Sequence, residues 1–222
     1  MIELRAKKVL FLGAHLDDIE LGAGGTLYTI LHQTSIEVLC VTLAHDRSGK
    51  YPFLEEEYHK SMDIIGVPKE RRWIENFSYR RLHEKRQEVL DLLWRIQEFY
   101  GPEVVFTHSR RDVHQDHQVV VQEALRAFRK QTILGFEITR SSYEFHPQFI
   151  IPLSHEAVQR KKEAISQYKS YEHRYYMQPH IVEAQARYHG LFCMEEYGEG
   201  FEVLRISGKL VGIEAHYFIE QK

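Results

Sequence analysis

Cysteine is scarce, with only Cys40 and Cys193 in 222 residues. Two thiols make no disulfide framework, which excludes a small bridge-stapled scaffold and points to a reducing, cytoplasmic setting. Cys40 lies in an apolar run and reads as a small buried hydrophobe. Proline (6) and glycine (13) are too few for a collagen-like chain, and 43% hydrophobic residues exclude disorder. No apolar run reaches the roughly 18 residues of a membrane span. Positive charge is not in surplus either. Lys plus Arg (29) against Asp plus Glu (32) leaves −3, which argues against a chain that coats nucleic acid or an anionic membrane. The segment MIELRAKKVLFLGAH carries basic residues and a short apolar run, but that run ends at His15, Asp17 and Asp18 with no cleavage-like site. It reads as a first strand rather than a signal peptide. Repeats and Ser/Gly linkers are absent, so one domain over 1–222 is expected.

What is present is an alternation. Continuous apolar runs at 7–14, 36–44 and 103–108, with a shorter one near 73–75, have the look of strands covered on both faces. Helical patterns at about 19–33, 54–65, 83–100 and from the 109–117 loop to about Lys130 separate or follow them. Gly66 with Pro68 and Gly101 with Pro102 supply stop signals. The order β-α-β-α-β-α-β-α predicts a Rossmann-like α/β fold, with a mostly parallel sheet and helices on both faces. The C-terminal third is less regular: short strands near 133–138 and 149–151, helices near 154–167 and 179–192, and a last strand at 202–207.

Chemistry concentrates in two segments at equivalent places. Gly13-Ala14-His15-Leu16-Asp17-Asp18 follows the first strand, and Asp112-Val113-His114-Gln115-Asp116-His117 follows the fourth. In an open parallel sheet ligands bind beyond the carboxyl ends of the strands, where strand order reverses. With the order 3-2-1-4-5 both segments face one crevice. Zinc favours imidazole with carboxylate, and a catalytic site has three protein ligands and an open position. His15 and Asp18 with one histidine of the second segment would make such a set. Asp17 would remain as general base, and a second histidine would assist the oxyanion or the leaving group. The plainer reading is that Asp17, Asp18 and Asp116 cap helices. Gly22, Gly24 and Gly25 beside the first segment suggest close packing; the spacing is not a dinucleotide fingerprint. Arg110 and Arg111 border the crevice, and Arg80 with Arg81 follows Phe77 and Tyr79; these arginines are candidates to hold a substrate phosphate or carboxylate. Among the 14 histidines, His45, His108 and His146 stay open between surface or packing residues and residues of loops near the crevice.

AHLDDIELGAGGTL resembles the AHPDDE-type signature of the PIG-L/LmbE-like zinc deacetylases, and HQDH resembles their HPDH element. Ile65-Gly66-Val67, Tyr168-Lys169-Ser170 and Phe201-Glu202-Val203-Leu204-Arg205 extend the likeness over nearly the whole chain. The resemblance implies a zinc-dependent hydrolase that removes an N-acetyl group from an amino-sugar substrate. Zinc would sit on His15, Asp18 and His117. Asp17 would activate the water, and His114 would assist the tetrahedral intermediate, with Asp116 tuning it. The resemblance also implies a homo-oligomer. Leu16 and Gln115 stand where the family often has proline, His45-Asp46-Arg47 replaces an Arg-Gly-Glu-like stretch, and Leu54 stands where some members carry a sugar-contacting arginine. These departures bear on the sugar rather than on the chemistry. The alternatives are a zinc amidohydrolase of a non-sugar N-acyl substrate and a non-catalytic sugar- or nucleotide-binding module.

Overall fold

The computed structural model describes residues 6–45 and 48–207. Asp46 and Arg47, part of the departing stretch noted above, lie outside them. The strands are β1 (Lys8–Gly13), β2 (Glu37–His45), β3 (Arg72–Ser78), β4 (Val104–His108), β5 (Thr132–Phe136), β6 (Phe149–Pro152) and β7 (Gly198–Arg205). The helices are α1 (Asp18–Gln33), α2 (Leu54–Ile65), α3 (Arg86–Phe99), α4 (Gln115–Ala127), α5 (His155–Ile165) and α6 (Pro179–Gly190). One seven-stranded sheet runs in the order β3-β2-β1-β4-β5-β7-β6. Neighbours from β3 to β5 pair in parallel, while β7 is antiparallel to both β5 and β6. The order therefore reverses between β1 and β4, as the α/β alternation predicts. Among the described residues no helix is long and apolar enough to cross a membrane.

Alternation along β1 divides the core. Val9 and Phe11 join a layer with residues of α1, α2, α5 and α6, while Leu10 and Leu12 join residues of α3 and α4 on the other face. Two boundaries depart from the sequence reading for physical reasons. β3 is an edge strand whose residues are mostly half-buried, so its apolar signal is diluted and only its first half is legible. β7 starts at Gly198, four residues early, because its opening Gly-Glu-Gly carries no strand propensity but is buried against β6.

The three glycines of α1 serve packing. A Cβ on Gly22 would lie 2.2 Å from the Phe136 ring, and one on Gly25 would lie 2.5 Å from Leu153. The helix is also broken between them, where Ala23 leaves helical values (φ −148°, ψ 18°). The break frees backbone donors, and the buried carboxylate of Glu199 takes them, accepting from Gly25 N at 2.9 Å and Thr26 N at 2.7 Å. Lys161 Nζ, also buried, neutralises that carboxylate at 2.7 Å. The first turns of α1 can thus point at the sheet's carboxyl edge while the rest of the helix packs against α5.

Candidate active site

β1 and β4 lie side by side, and each feeds one polar segment into the same crevice. After β1 the chain is folded by its own carboxylate, since Asp18 Oδ2 accepts the His15 N–H at 2.7 Å. His108, the last residue of β4, accepts the Ala14 N–H at 3.0 Å and ties the two strand ends together. In the second segment Asp112 organises the loop. Its Oδ1 accepts the His114 N–H at 2.8 Å, and its Oδ2 accepts the Ser141 hydroxyl at 2.9 Å. His114 caps α4, accepting the Asp116 N–H on its Nδ1 at 3.2 Å.

His15, Asp18 and His117 meet at one point. His15 Nδ1 is 3.4 Å from Asp18 Oδ2, His117 Nε2 is 3.4 Å from Asp18 Oδ1, and the two nitrogens are 3.2 Å apart. The outer nitrogen of each ring is held by a carboxylate: His15 Nε2 by Asp116 Oδ2 at 3.0 Å, His117 Nδ1 by Asp112 Oδ2 at 2.8 Å. A carboxylate accepts, so each outer nitrogen carries a proton, and in the neutral form of the ring the inner nitrogen presents a lone pair. Two lone pairs and a carboxylate facing one another need a proton or a cation between them. Tetrahedral coordination at about 2.0–2.2 Å places ligand atoms roughly 3.3–3.6 Å apart, a spacing near that of these contacts, although His15 and His117 approach different oxygens of Asp18. The carboxylate behind each imidazole is the arrangement that orients metal-bound histidines. Two groups of three bring their ligand atoms close enough to share an ion, His15 with His114 and His117, and Asp18 with His108 and His117. His114 and His108 each have a nitrogen committed to a backbone N–H, and His108 lies stacked on His117 with ring centroids 3.9 Å apart.

Protonation follows from burial and these neighbours. Burial opposes the charge of Asp18, but the rings of His117, His108 and His15 hold its carboxyl well below the usual range. Burial also opposes charge on His117, yet Asp18 and Asp112 raise it to about 10. A cation in the site would compete for that proton. Burial and the adjacent Asp18 push Asp17 up to about 6, with His15 and Arg174 opposing. His114 falls to about 4 through burial and the nearby His117 and His15. Asp17 stands at the N-cap of α1 but makes no side-chain cap bond, so helix capping does not explain it.

The crevice opens into a cavity of about 280 Å³ lined on the inside by His15, Asp17, Asp18, His114 and His117. Arg80, Arg110 and Arg111 do not line it. The Arg80 side chain leans over the Tyr79 ring while its N–H binds Asp116, and Arg111 faces Glu144 and Glu202 at 3.7 and 3.9 Å. Arg110 is exposed. The Asp116 carboxylate reaches His15, and the N–H groups of Arg80 (2.7 Å) and Leu82 (3.2 Å), while only its main chain touches His114. Sequence reasoning passed over Arg140, Tyr143, Tyr171, Arg174 and Tyr176, which form the outer wall. The only sequence signal was the density of tyrosine in 168–176, around the single Arg174. It also gave no role to Tyr168, whose buried hydroxyl meets the Leu16 carbonyl and Glu20 Oε1 behind the loop.

Comparison with known proteins bears on the family and the fold. Residues 10–128 match the PIG-L family, described as GlcNAc-PI de-N-acetylase. YaiS of Escherichia coli K12, an uncharacterized deacetylase, is 30% identical over 174 residues, covering 75% of this chain and 92% of that one. The N,N'-diacetylchitobiose deacetylase of Pyrococcus horikoshii superposes with TM-score 0.74 at 21% identity, covering 94% of this chain and 89% of that one. GalB of Pseudomonas putida, a 4-carboxy-2-hydroxymuconate hydratase, superposes with TM-score 0.73 at 18% identity, covering 90% and 98%. One fold thus carries both deacetylation and hydration, so activity has to be argued from the site. With the family match spanning the segments that follow both β1 and β4, the chain belongs to the PIG-L deacetylase family.

Proposed function

We propose that this chain is a zinc-dependent N-deacetylase of an N-acetylated amino sugar. The observation that carries the reading is the meeting of two imidazole lone pairs with the Asp18 carboxylate, beside Asp17, a buried carboxylate that caps nothing. His15 Nδ1, Asp18 and His117 Nε2 would hold the ion, which when bound supplies a Lewis acid for the attacking water and the acyl oxygen.

The remaining chemistry belongs to the chain's own groups. Asp17, raised to about 6, is largely ionised at neutral pH yet basic enough to take a proton from the attacking water. His114 Nδ1 already accepts a backbone N–H, so its ring acts as a neutral Nε2–H donor toward the developing oxyanion rather than as an imidazolium. The proton held on Asp17 then passes to the amine as the C–N bond breaks. One water is consumed, and acetate and a free amine leave. A binding module of the same fold would have no use for an uncommitted buried carboxylate.

The test starts with zinc content of untagged protein after dialysis, then acetate release from N-acetyl sugars and N-acetyl amino acids. About one zinc per chain, with acetate released from the sugars, is the expected result. Release only from amino acids would move the substrate class. Bound zinc with no release from any amide would replace the enzyme reading with the binding module.

A further inference from the structure

The outer wall of the cavity differs in charge from the inner one. Arg174 is mostly buried, its side chain 17% exposed, with its guanidinium carbon 3.4 Å from the Tyr171 ring centroid. One of its nitrogens donates to the Tyr176 hydroxyl at 2.8 Å and lies 4.0 Å from Asp17 Oδ2, beyond hydrogen-bond distance. Arg140 lies over the face of the same Tyr176 ring, 5.6 Å from its centroid. Among the described residues no carboxylate comes within ion-pair distance of Arg140. Two guanidinium groups therefore flank one tyrosine in the lining of the same cavity as the His/Asp cluster, Arg174 bonded to Tyr51 and Tyr176 and Arg140 to Tyr176, each with further donors left over. Arg140 is exposed, while Arg174 is partly buried and has Asp17 as its nearest acid.

Stacking on tyrosine holds a guanidinium plane rigid while leaving its edge free, which suits fork-like recognition of a carboxylate or phosphate. The cavity is at the small end of ligand pockets, about 300 Å³ and upward, so a group at this wall is within one sugar unit of the cluster. We propose that Arg140 and Arg174 bind an anionic substituent, carboxylate or phosphate, on the amino sugar, making this an enzyme for acidic sugars. The proposal rests on the amino-sugar reading above and narrows it.

The test pairs turnover with binding. Acetate release is measured for N-acetylglucosamine, its 6-phosphate, and N-acetylmuramic acid, which carries a carboxylate instead. At least one acidic sugar is expected to exceed the neutral one by tenfold or more in kcat/KM, and which one does identifies the anion. Binding of glucosamine and glucosamine 6-phosphate, with muramic acid as the carboxylate counterpart, is measured by calorimetry on metal-free protein. The same tenfold preference is expected there, weakened by salt. Arg140→Gln should bring both ratios toward one and Arg140→Lys should keep part of them. Arg174 is left intact because of its proximity to Asp17. Equal use and equal binding of neutral and acidic sugars would overturn the proposal, as would ratios unaltered by Arg140→Gln. A binding preference that survives while no sugar releases acetate would leave the anion site standing and remove the deacetylase reading instead.

Discussion

The inner and outer walls of the cavity are built on different principles. On the inner wall every functional side chain except Asp17 is held by a second group: His15 by Asp116, His117 by Asp112, His114 by a backbone N–H. All of it comes from two short segments at the ends of neighbouring parallel strands. The outer wall comes from irregular segments around 138–143 and 171–176, and its side chains are held by ring stacking together with arginine-to-tyrosine hydrogen bonds, with no carboxylate behind each group. A bonded constellation fixes geometry to fractions of an ångström, as bond-making chemistry requires. A stacked wall tolerates substitution and is the natural place for substrate choice to reside.

Three variants would break or sharpen this contrast. Asp17→Asn is expected to lower kcat by about 10²–10⁴-fold while zinc content stays near that of the wild type. Steady-state rates with elemental analysis of the same sample decide it, and retained turnover would take the base role from Asp17. Asp112→Asn leaves an amide where His117 Nδ1–H has a carboxylate, and zinc affinity should weaken about 10–100-fold. Competition with a chromophoric chelator measures this; an unchanged affinity would mean that the Asp112 charge is not what orients His117. Tyr176→Phe removes the hydroxyl that Arg174 donates to, a bond worth about 1 kcal/mol, and should raise KM roughly fivefold. If Tyr176→Phe instead altered zinc affinity, the two walls would not be separable.

The sequence made one of these walls far more legible than the other. Strands buried on both faces leave continuous apolar runs, and the turn from such a run into HLDD or RRDVHQDH exposes the polar residues by contrast. The strand order then brings His15, Asp18 and His117 together without further information. Orientation was not legible. That Asp116 reaches across to His15, one hundred and one positions away, and not to its neighbour His114, is a tertiary fact with no local pattern. Arg140 and Arg174 were hidden for a related reason. Their segments have neither helical nor strand period, so nothing marked which of the chain's 29 basic residues would face the cavity. Arg110 and Arg111 drew attention by their nearness to the second motif in sequence, and Arg80 by following the aromatic pair Phe77 and Tyr79.

The break in α1 has a consequence for hydrogen exchange. Amides at the start of a helix ordinarily exchange early, because no carbonyl precedes them to accept their bonds. At Gly25 and Thr26 the acceptor is the Glu199 carboxylate, paired to Lys161 and shut away from water. These two amides should therefore exchange as slowly as those of the central strands, in metal-free protein as well as loaded. The joint in α1 would then be a welded elbow, and the turn bearing Asp18 would keep its angle whether or not an ion is present to reward it.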